Sequence, residues 1–69
     1  MKRKSVSSSN LASVGYDAIS STLEVEFNSG EVYHYFNVPE FKYNSLMNAS
    51  SHGTYFSANI RTSYRYKKL

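Results

Sequence analysis

Aromatic and cationic residues alternate near one end of this chain, in the run Tyr64–Arg65–Tyr66–Lys67 followed by Lys68. Aromatic rings stack on unpaired nucleobases and Arg or Lys side chains contact phosphates, so this pattern is typical of single-stranded nucleic-acid binding. Arg61 lies just upstream, and Tyr55 and Asn59 are four residues apart on a helical face that Arg61 borders. The sequence therefore yields one candidate nucleic-acid-binding set: Arg61, Tyr64, Arg65, Tyr66, Lys67, Lys68, Tyr55 and Asn59.

The same alternation also fits an amphipathic strand whose tyrosines pack on a sheet while its cations face water. The charge layout is compatible with both interpretations. Residues 1–4 carry three cations and residues 61–69 carry four, whereas residues 5–60 carry Lys42 and all five acidic residues. Basic ends attract nucleic acid, and they are equally common as solvated tails. We expect residues 1–5 to form a flexible basic tail in which Lys2, Arg3 and Lys4 add unspecific attraction.

Groups that support catalysis or metal binding are sparse. The two histidines, His34 and His52, are far apart in the sequence, cysteine is absent, and the serines cluster in loops and the N-terminal segment. A nucleophilic triad needs a serine, a base and an orienting acid, and a phosphate-binding loop needs more glycines than the three present. We therefore expect a non-catalytic protein without a cofactor or metal. In it, His34 pairs with Glu24 at the surface and His52 lies in a loop.

Length and hydropathy limit the architecture. A chain of 69 residues is at most one domain, and it buries one small core. No apolar run approaches the roughly 20 residues that span a membrane. The basic start is followed by the polar segment Ser5–Asn10, where a signal peptide needs apolar residues. These features predict a cytoplasmic protein, and we expect a monomer.

The pattern of the central segment predicts a β-hairpin. Thr22–Phe27 alternates apolar and polar residues, which indicates a strand with one buried face. The loop Asn28–Ser29–Gly30 follows, and Gly30 accepts a positive φ, so a three-residue loop places Tyr33 and Tyr35 on the buried face. In that register Val25 faces Tyr33, Leu23 faces Tyr35, and His34 lies beside Glu24. A two-residue loop at Ser29–Gly30 instead turns both tyrosines outward.

Helices are predicted further along the chain. Pro39 suits a helix start, and the recurrence of Tyr43, Leu46 and Met47 marks one buried stripe of a helix over Pro39–Ala49. A second short helix is expected over Thr54–Arg61. We also expect a first strand over Leu11–Tyr16. The predicted class is therefore α+β: an antiparallel β-meander of about three strands, with a possible fourth from the C-terminal tail, packed against one helix and a second short helix.

An ordered set of positions along the chain carries a resemblance to a known family. These positions are Val6, Ser8–Ser9, Leu11, Gly15–Asp17, Leu23, Val25, Phe27, Gly30, Tyr33–Tyr35, Val38–Pro39, Tyr43, Leu46, Ala49–Ser50, Gly53, Tyr55–Phe56, Asn59–Arg61 and Tyr64. Taken in order, they resemble the KTSC domain family, named after the C-terminal domain of some lysyl-tRNA synthetases. The resemblance covers residues 6 to about 66, so we predict a single KTSC-like domain over residues 6–69. It implies a family of unknown function in which RNA binding is suggested by attachment to a tRNA synthetase. Single-domain members resemble small bacterial and phage-type proteins.

Two functional hypotheses follow from the sequence. The first is a small module that binds RNA or another single-stranded nucleic acid through the candidate set. The second is a protein-interaction module that binds through an exposed sheet edge or through the acidic face of Glu24, Glu26 and Glu31. Strand addition at a sheet edge would give the second its main-chain hydrogen bonds. The direction in which Arg61, Arg65 and Lys67 project separates the two, because phosphate binding needs them on one surface.

Overall fold

Five strands form one antiparallel sheet, in which every strand lies beside its neighbour in the chain. The computed structural model describes all 69 residues. Two helices follow the fourth strand and precede the fifth, so the α+β prediction is confirmed. The elements are β1 (Arg3–Ser5), β2 (Leu11–Asp17), β3 (Thr22–Phe27), β4 (Val32–Tyr35), α1 (Glu40–Asn48), α2 (His52–Asn59) and β5 (Tyr66–Lys68).

The hairpin between β3 and β4 has the register that its loop predicts. Gly30 adopts a φ of 95°, its N–H donates to the Phe27 carbonyl, and the Phe27 N–H donates to the Glu31 carbonyl. Val25 therefore pairs with Tyr33, and the next pair along the same face is Leu23 with Tyr35. The three-residue loop is confirmed, and the outward-facing alternative for the two tyrosines is excluded.

A β-bulge explains why β2 has a weak pattern in the sequence. The pairing register shifts between Leu11 and Ser13, so Ala12 is an extra residue on that strand. Leu11 and Val14 are three apart in sequence, yet both are fully buried. In a regular strand, residues three apart face opposite sides of the sheet. The bulge thus lets β2 contribute both side chains to one core.

The two helices cover the face of the sheet that carries the apolar residues. Ser51 caps α2, its hydroxyl accepting from the Thr54 N–H, so that helix begins two residues earlier than predicted. Pro39 precedes α1 at the N-cap. Neither helix is long and apolar enough to cross a membrane. Nine residues form the core: Leu11, Val14, Leu23, Val25, Tyr35, Val38, Leu46, Phe56 and Ile60.

Both ends of the chain join the sheet as edge strands. Residues 1–5 were expected to form a flexible tail, but Arg3–Ser5 pairs with β2, with Arg3 opposite Gly15. At the other edge β5 pairs with β4, with Tyr66 opposite Tyr35 and Lys67 opposite His34. The possible fourth strand from the tail is therefore present, and β1 adds a fifth. These edge strands position the charged residues discussed below.

Candidate functional site

An aromatic cleft of about 740 Å³ opens on the helix-covered side of the sheet, between α2, the β3–β4 hairpin and β5. Its volume lies within the ~300–1,000 Å³ typical of ligand sites. Five aromatic side chains line it, together with Arg61 and a polar rim. The aromatic residues are Phe27, Tyr33, Tyr35, Phe56 and Tyr66, and the rim comprises Ser9, Asn10, Asn28, Ser29, Glu31, Ser57 and Thr62.

The five rings of the aromatic cleft form a closed cycle of contacts. Phe27 meets Tyr33 and Phe56 edge to face, with ring centroids 5.4 and 5.6 Å away, and Tyr35 meets Phe56 at 5.3 Å. Tyr66 closes the cycle, 5.7 Å from both Tyr33 and Tyr35. Phe56 is 1% exposed and Tyr66 is 60% exposed. The cluster therefore has a base in which Tyr35 and Phe56 are buried, and one outer ring, Tyr66, that is exposed to a ligand.

Tyr35 has an unusual combination of burial and free hydrogen-bonding capacity. The residue is 3% exposed, and its hydroxyl makes no hydrogen bond within the protein, whereas the Tyr16 hydroxyl donates to the Val38 carbonyl. Because no buried side-chain oxygen in this protein lacks a partner, the Tyr35 hydroxyl reaches the accessible surface of the aromatic cleft. Burial raises the pKa of Tyr35 to about 12, with smaller contributions from Tyr33 and Tyr66 and an opposing one from Arg61. The hydroxyl is therefore a protonated donor near neutral pH.

Arg61 is the cation of the aromatic cleft, and it makes no ion pair. It is exposed, and its charge makes a small contribution that lowers the pKa of Tyr35, against the larger effect of burial. The acid on the rim, Glu31, is already engaged, since its carboxylate lies 2.7 Å from the Lys68 ammonium. The positive charge of Arg61 is thus available to a ligand.

The structure divides the predicted nucleic-acid-binding set between the two faces of the sheet. Arg61 and Tyr66 line the aromatic cleft. Lys67 pairs with His34 on the opposite face, and the Phe36 N–H donates to the Arg65 carbonyl, which continues that register and places Arg65 on the same opposite face. Arg65 and Lys67 therefore do not form one patch with Arg61, whereas Lys68, opposite Tyr33, lies on the cleft face.

The other members of the predicted set lie outside the aromatic cleft. Tyr55 and Tyr64 are half-buried against the core. Asn59 donates to the Tyr55 carbonyl at 3.1 Å, so its amide serves the helix. Lys68 forms its ion pair with Glu31, which leaves Arg61 and Tyr66 as the two members placed to contact one ligand.

The face of the sheet without helices carries an ion-paired row that crosses four strands. Glu24 is 9% exposed and accepts from Arg3 Nη1 and His34 Nε2, both at 2.7 Å. Gly15 makes this possible, because a Cβ there would lie 3.1 Å from Arg3 Cγ and 2.9 Å from the Lys2 carbonyl oxygen. Arg3 thus reaches across β2 to Glu24, and the predicted His34–Glu24 pair is confirmed.

The ion-paired row engages carboxylates of the acidic face that was predicted to bind a protein partner. The Glu26 carboxylate accepts from the Ser13 hydroxyl at 2.8 Å and lies 3.9 Å from Arg3 Nη2. Glu24 and Glu31 are paired as described above. Each acid of the predicted protein-binding face therefore already has a partner within the chain. His52, expected in a loop, is the first residue of α2, and its Nδ1 lies 2.9 Å from the Leu46 carbonyl oxygen.

Sequence reasoning assigned Tyr33, Tyr35 and Phe56 to the core and did not place them in a site. They have both roles, since their rings support the core and also line the aromatic cleft. One available signal was the shared period of two in Tyr33–Tyr35 and Tyr64–Tyr66. Once the tail pairs with β4, this period brings Tyr66 beside the two earlier tyrosines.

Comparison with protein families decides what this domain is. Residues 7–64 match the model of the KTSC domain. The chain belongs to the KTSC domain family. The matched range contains β2, β3, β4 and both helices, whereas β1 and β5 lie outside it. The family resemblance seen in the sequence is thus confirmed, and the two edge strands, including Tyr66, flank the matched segment.

Individual relatives are similar to this KTSC domain over different shares of their length. An uncharacterized protein of Stutzerimonas stutzeri is 41% identical over 70 residues, covering all of this chain and 99% of the relative. A lysine–tRNA ligase of Trichormus variabilis is 43% identical over 54 residues, which are 78% of this chain and 10% of the ligase. The crystal structure of a KTSC domain protein from Yersinia pestis superimposes with a TM-score of 0.96 at 35% identity, covering 99% of this chain and 96% of that one.

Proposed function

We propose that this KTSC domain is a non-catalytic module that binds single-stranded RNA, or another single-stranded nucleic acid, through the aromatic cleft. The observation that carries the proposal is that an exposed aromatic ring, Tyr66, and a cation without an ion pair, Arg61, line the same cleft. A ring that stacks on a base contributes ~1–3 kcal/mol of binding free energy and does not depend on base identity. A guanidinium supplies several donors to phosphate oxygens.

The relatives favour RNA among the single-stranded ligands. Segments of three lysine–tRNA ligases are similar to this chain at 39–43% identity, each over 10% of the ligase. Those proteins act on tRNA by name. An RNA ligand for this domain is an inference from that association, and the aromatic cleft provides its physical basis.

The division of the cations gives the proposal a matched test. Arg61 and Arg65 are both exposed arginines in the same segment of chain, but only Arg61 lines the aromatic cleft. Fluorescence anisotropy with a labelled short single-stranded RNA should show weaker binding for Arg61→Ala and little change for Arg65→Ala. The slope of log K against log salt should also decrease by roughly one phosphate contact, about 0.7, for Arg61→Ala alone.

Removal of the stacking ring tests the second half of the proposal. Tyr66→Leu keeps an apolar residue in β5 and should lower the affinity roughly 5- to 150-fold, the equivalent of one lost base stack. Tyr66→Phe, which keeps the ring, should bind almost as well as the wild type. Equal effects of Arg61→Ala and Arg65→Ala, or an unchanged affinity for Tyr66→Leu, would contradict binding in the aromatic cleft.

A further inference from the structure

Two hydrogen-bond donors line the aromatic cleft and have no acceptor from the protein. One is the Tyr35 hydroxyl, which belongs to a side chain that is almost fully buried and makes no hydrogen bond within the chain. The other is the Arg61 guanidinium, which lines the same cleft as Tyr35 and forms no ion pair. Both donors are therefore available to a ligand that brings the acceptor.

The chemistry of these donors limits the kind of acceptor. An arginine side chain has five N–H donors, no acceptor, and a permanent positive charge. The Tyr35 hydroxyl stays protonated well above neutral pH because burial raises its pKa. Both groups therefore favour an anionic oxygen, and hydrogen bonds from such donors to anions are about twice as strong as those between neutral groups.

The outer ring adds a second requirement for the same ligand. The ring centroid of Tyr66 lies 5.7 Å from that of Tyr35, and Tyr66 is 60% exposed. A ligand that contacts both must carry a planar aromatic group next to an anionic group. Nucleotides combine these features in a single unit, as a base and a phosphate.

We propose that the aromatic cleft recognises one nucleotide unit through its phosphate. Arg61 and the Tyr35 hydroxyl donate to the phosphate oxygens, and Tyr66 stacks on the attached base. This inference rests on the proposed nucleic-acid binding and deepens it, because it identifies the phosphate, not the base alone, as the group that the cleft requires. A free nucleoside monophosphate and a nucleotide within a strand present the same chemistry.

The test compares three probes and two variants by NMR titration of the isotope-labelled protein. The probes are adenosine, adenosine monophosphate and a short oligoadenylate RNA. Tyr35→Phe removes only the hydroxyl and leaves the packed ring, and Tyr55→Phe is the matched control, since Tyr55 lies outside the aromatic cleft. We expect Tyr35→Phe to weaken monophosphate binding about tenfold or more, without a change for adenosine. Tyr55→Phe should match the wild type with all three probes.

Arg61→Gln serves as the second variant, because an exposed residue is replaced without disturbance of the core. It should weaken monophosphate binding at least as much as Tyr35→Phe does. If the wild type binds adenosine as tightly as its monophosphate, or if both variants leave the monophosphate affinity unchanged, the phosphate site is overturned.

The possible results separate the two proposals. Tight RNA binding that is insensitive to Tyr35→Phe contradicts the phosphate site and leaves the proposed function standing. Phosphate-dependent binding of the monophosphate without RNA binding supports the site and contradicts the proposed function, so the domain would then bind free nucleotides. Failure of all three probes to shift any resonance overturns both.

Discussion

Replacement of Glu24 by glutamine tests the ion-paired row on the helix-free face. Glu24→Gln keeps the shape of the side chain and removes its charge. The carboxylate accepts hydrogen bonds of 2.7 Å from both Arg3 and His34, and its side chain is only 12% exposed. Arg3 donates to Oε2 and His34 to Oε1. Glutamine replaces one of these oxygens by an NH₂ group, so one of the two donors loses its acceptor.

The expected loss can be worked from these contacts. A hydrogen bond to a charged group contributes ~1.5–3 kcal/mol. The side chains of Arg3 and His34 are 31% and 25% exposed. Water therefore solvates both partners in part and reduces the net contribution of these hydrogen bonds to stability. We expect the free energy of unfolding to fall by about 1–2 kcal/mol at pH 7. In a domain of this size that corresponds to a decrease in Tm of roughly 4–16 °C.

The pH dependence of this loss has a defined sign. Burial raises the pKa of Glu24, but hydrogen bonds and the charges of His34 and Arg3 outweigh it, so the pKa in the folded protein lies below the ordinary 4.5. The unfolded chain therefore binds the proton first as pH falls. The stabilisation from ionised Glu24 is complete above pH 4.5 and disappears as the pH falls through the folded pKa.

Urea unfolding of the wild type and Glu24→Gln at pH 7 and at pH 3 provides the measurement. The difference in unfolding free energy should be largest at pH 7 and should shrink towards pH 3. Glu26→Gln is the matched control on the same strand and face, with a more exposed side chain and a longer contact to Arg3, so its effect should be smaller. A difference for Glu24→Gln that is the same at both pH values would refute the reasoning.

Three further predictions concern the fold that supports the site. Gly30→Ala should lower the free energy of unfolding in urea by about 1 kcal/mol, because a φ of 95° is unfavourable for a residue with a Cβ. Ser29→Ala is the control and should be nearly neutral. Equal losses for the two variants would argue against the left-handed turn. Gly15→Val should lower the free energy of unfolding by about 1–3 kcal/mol and speed amide hydrogen exchange in β1, because the new Cβ would collide with Lys2 and Arg3. Unchanged exchange in β1 would show that the pairing of β1 does not require glycine at this position. Phe56→Ala should cost about 3–5 kcal/mol, measured by the same unfolding assay, because Phe56 is 1% exposed in the core; a loss below ~1 kcal/mol would contradict that packing.

Local chemistry explains which parts of the fold were predictable. The hairpin register depends on one loop, Asn28–Gly30, whose glycine selects the turn, and the face of every residue in β4 follows from it. The two helices depend on Pro39 and on the spacing of their apolar residues. These signals all lie within a few residues of the structure that they determine, so the sequence contains them in readable form.

Features that depend on distant contacts were not predictable. Arg3–Ser5 has no apolar pattern, and it becomes a strand through its pairing with β2 and through the contact between Arg3 and Glu24. The bulge at Ala12 likewise leaves no local sequence signal. For the candidate site, Arg61 and Tyr66 both belonged to the predicted set, but their separation from Arg65 depends on which strand the tail joins. That choice brings Tyr66 to Tyr35 and turns the neighbouring cations to the opposite face.

The edge strands β1 and β5 have a consequence for solubility. Each is three residues long and consists of exposed residues. Together the two strands place Arg3, Lys4, Lys67 and Lys68 along the two outer margins of the sheet. Unpaired main-chain groups at a sheet margin are a template for aggregation, and short, lysine-bearing margins oppose it by steric and electrostatic means. We therefore expect the basic ends of the chain to disfavour pairing of the sheet with other copies of itself, whatever ligand the aromatic cleft holds.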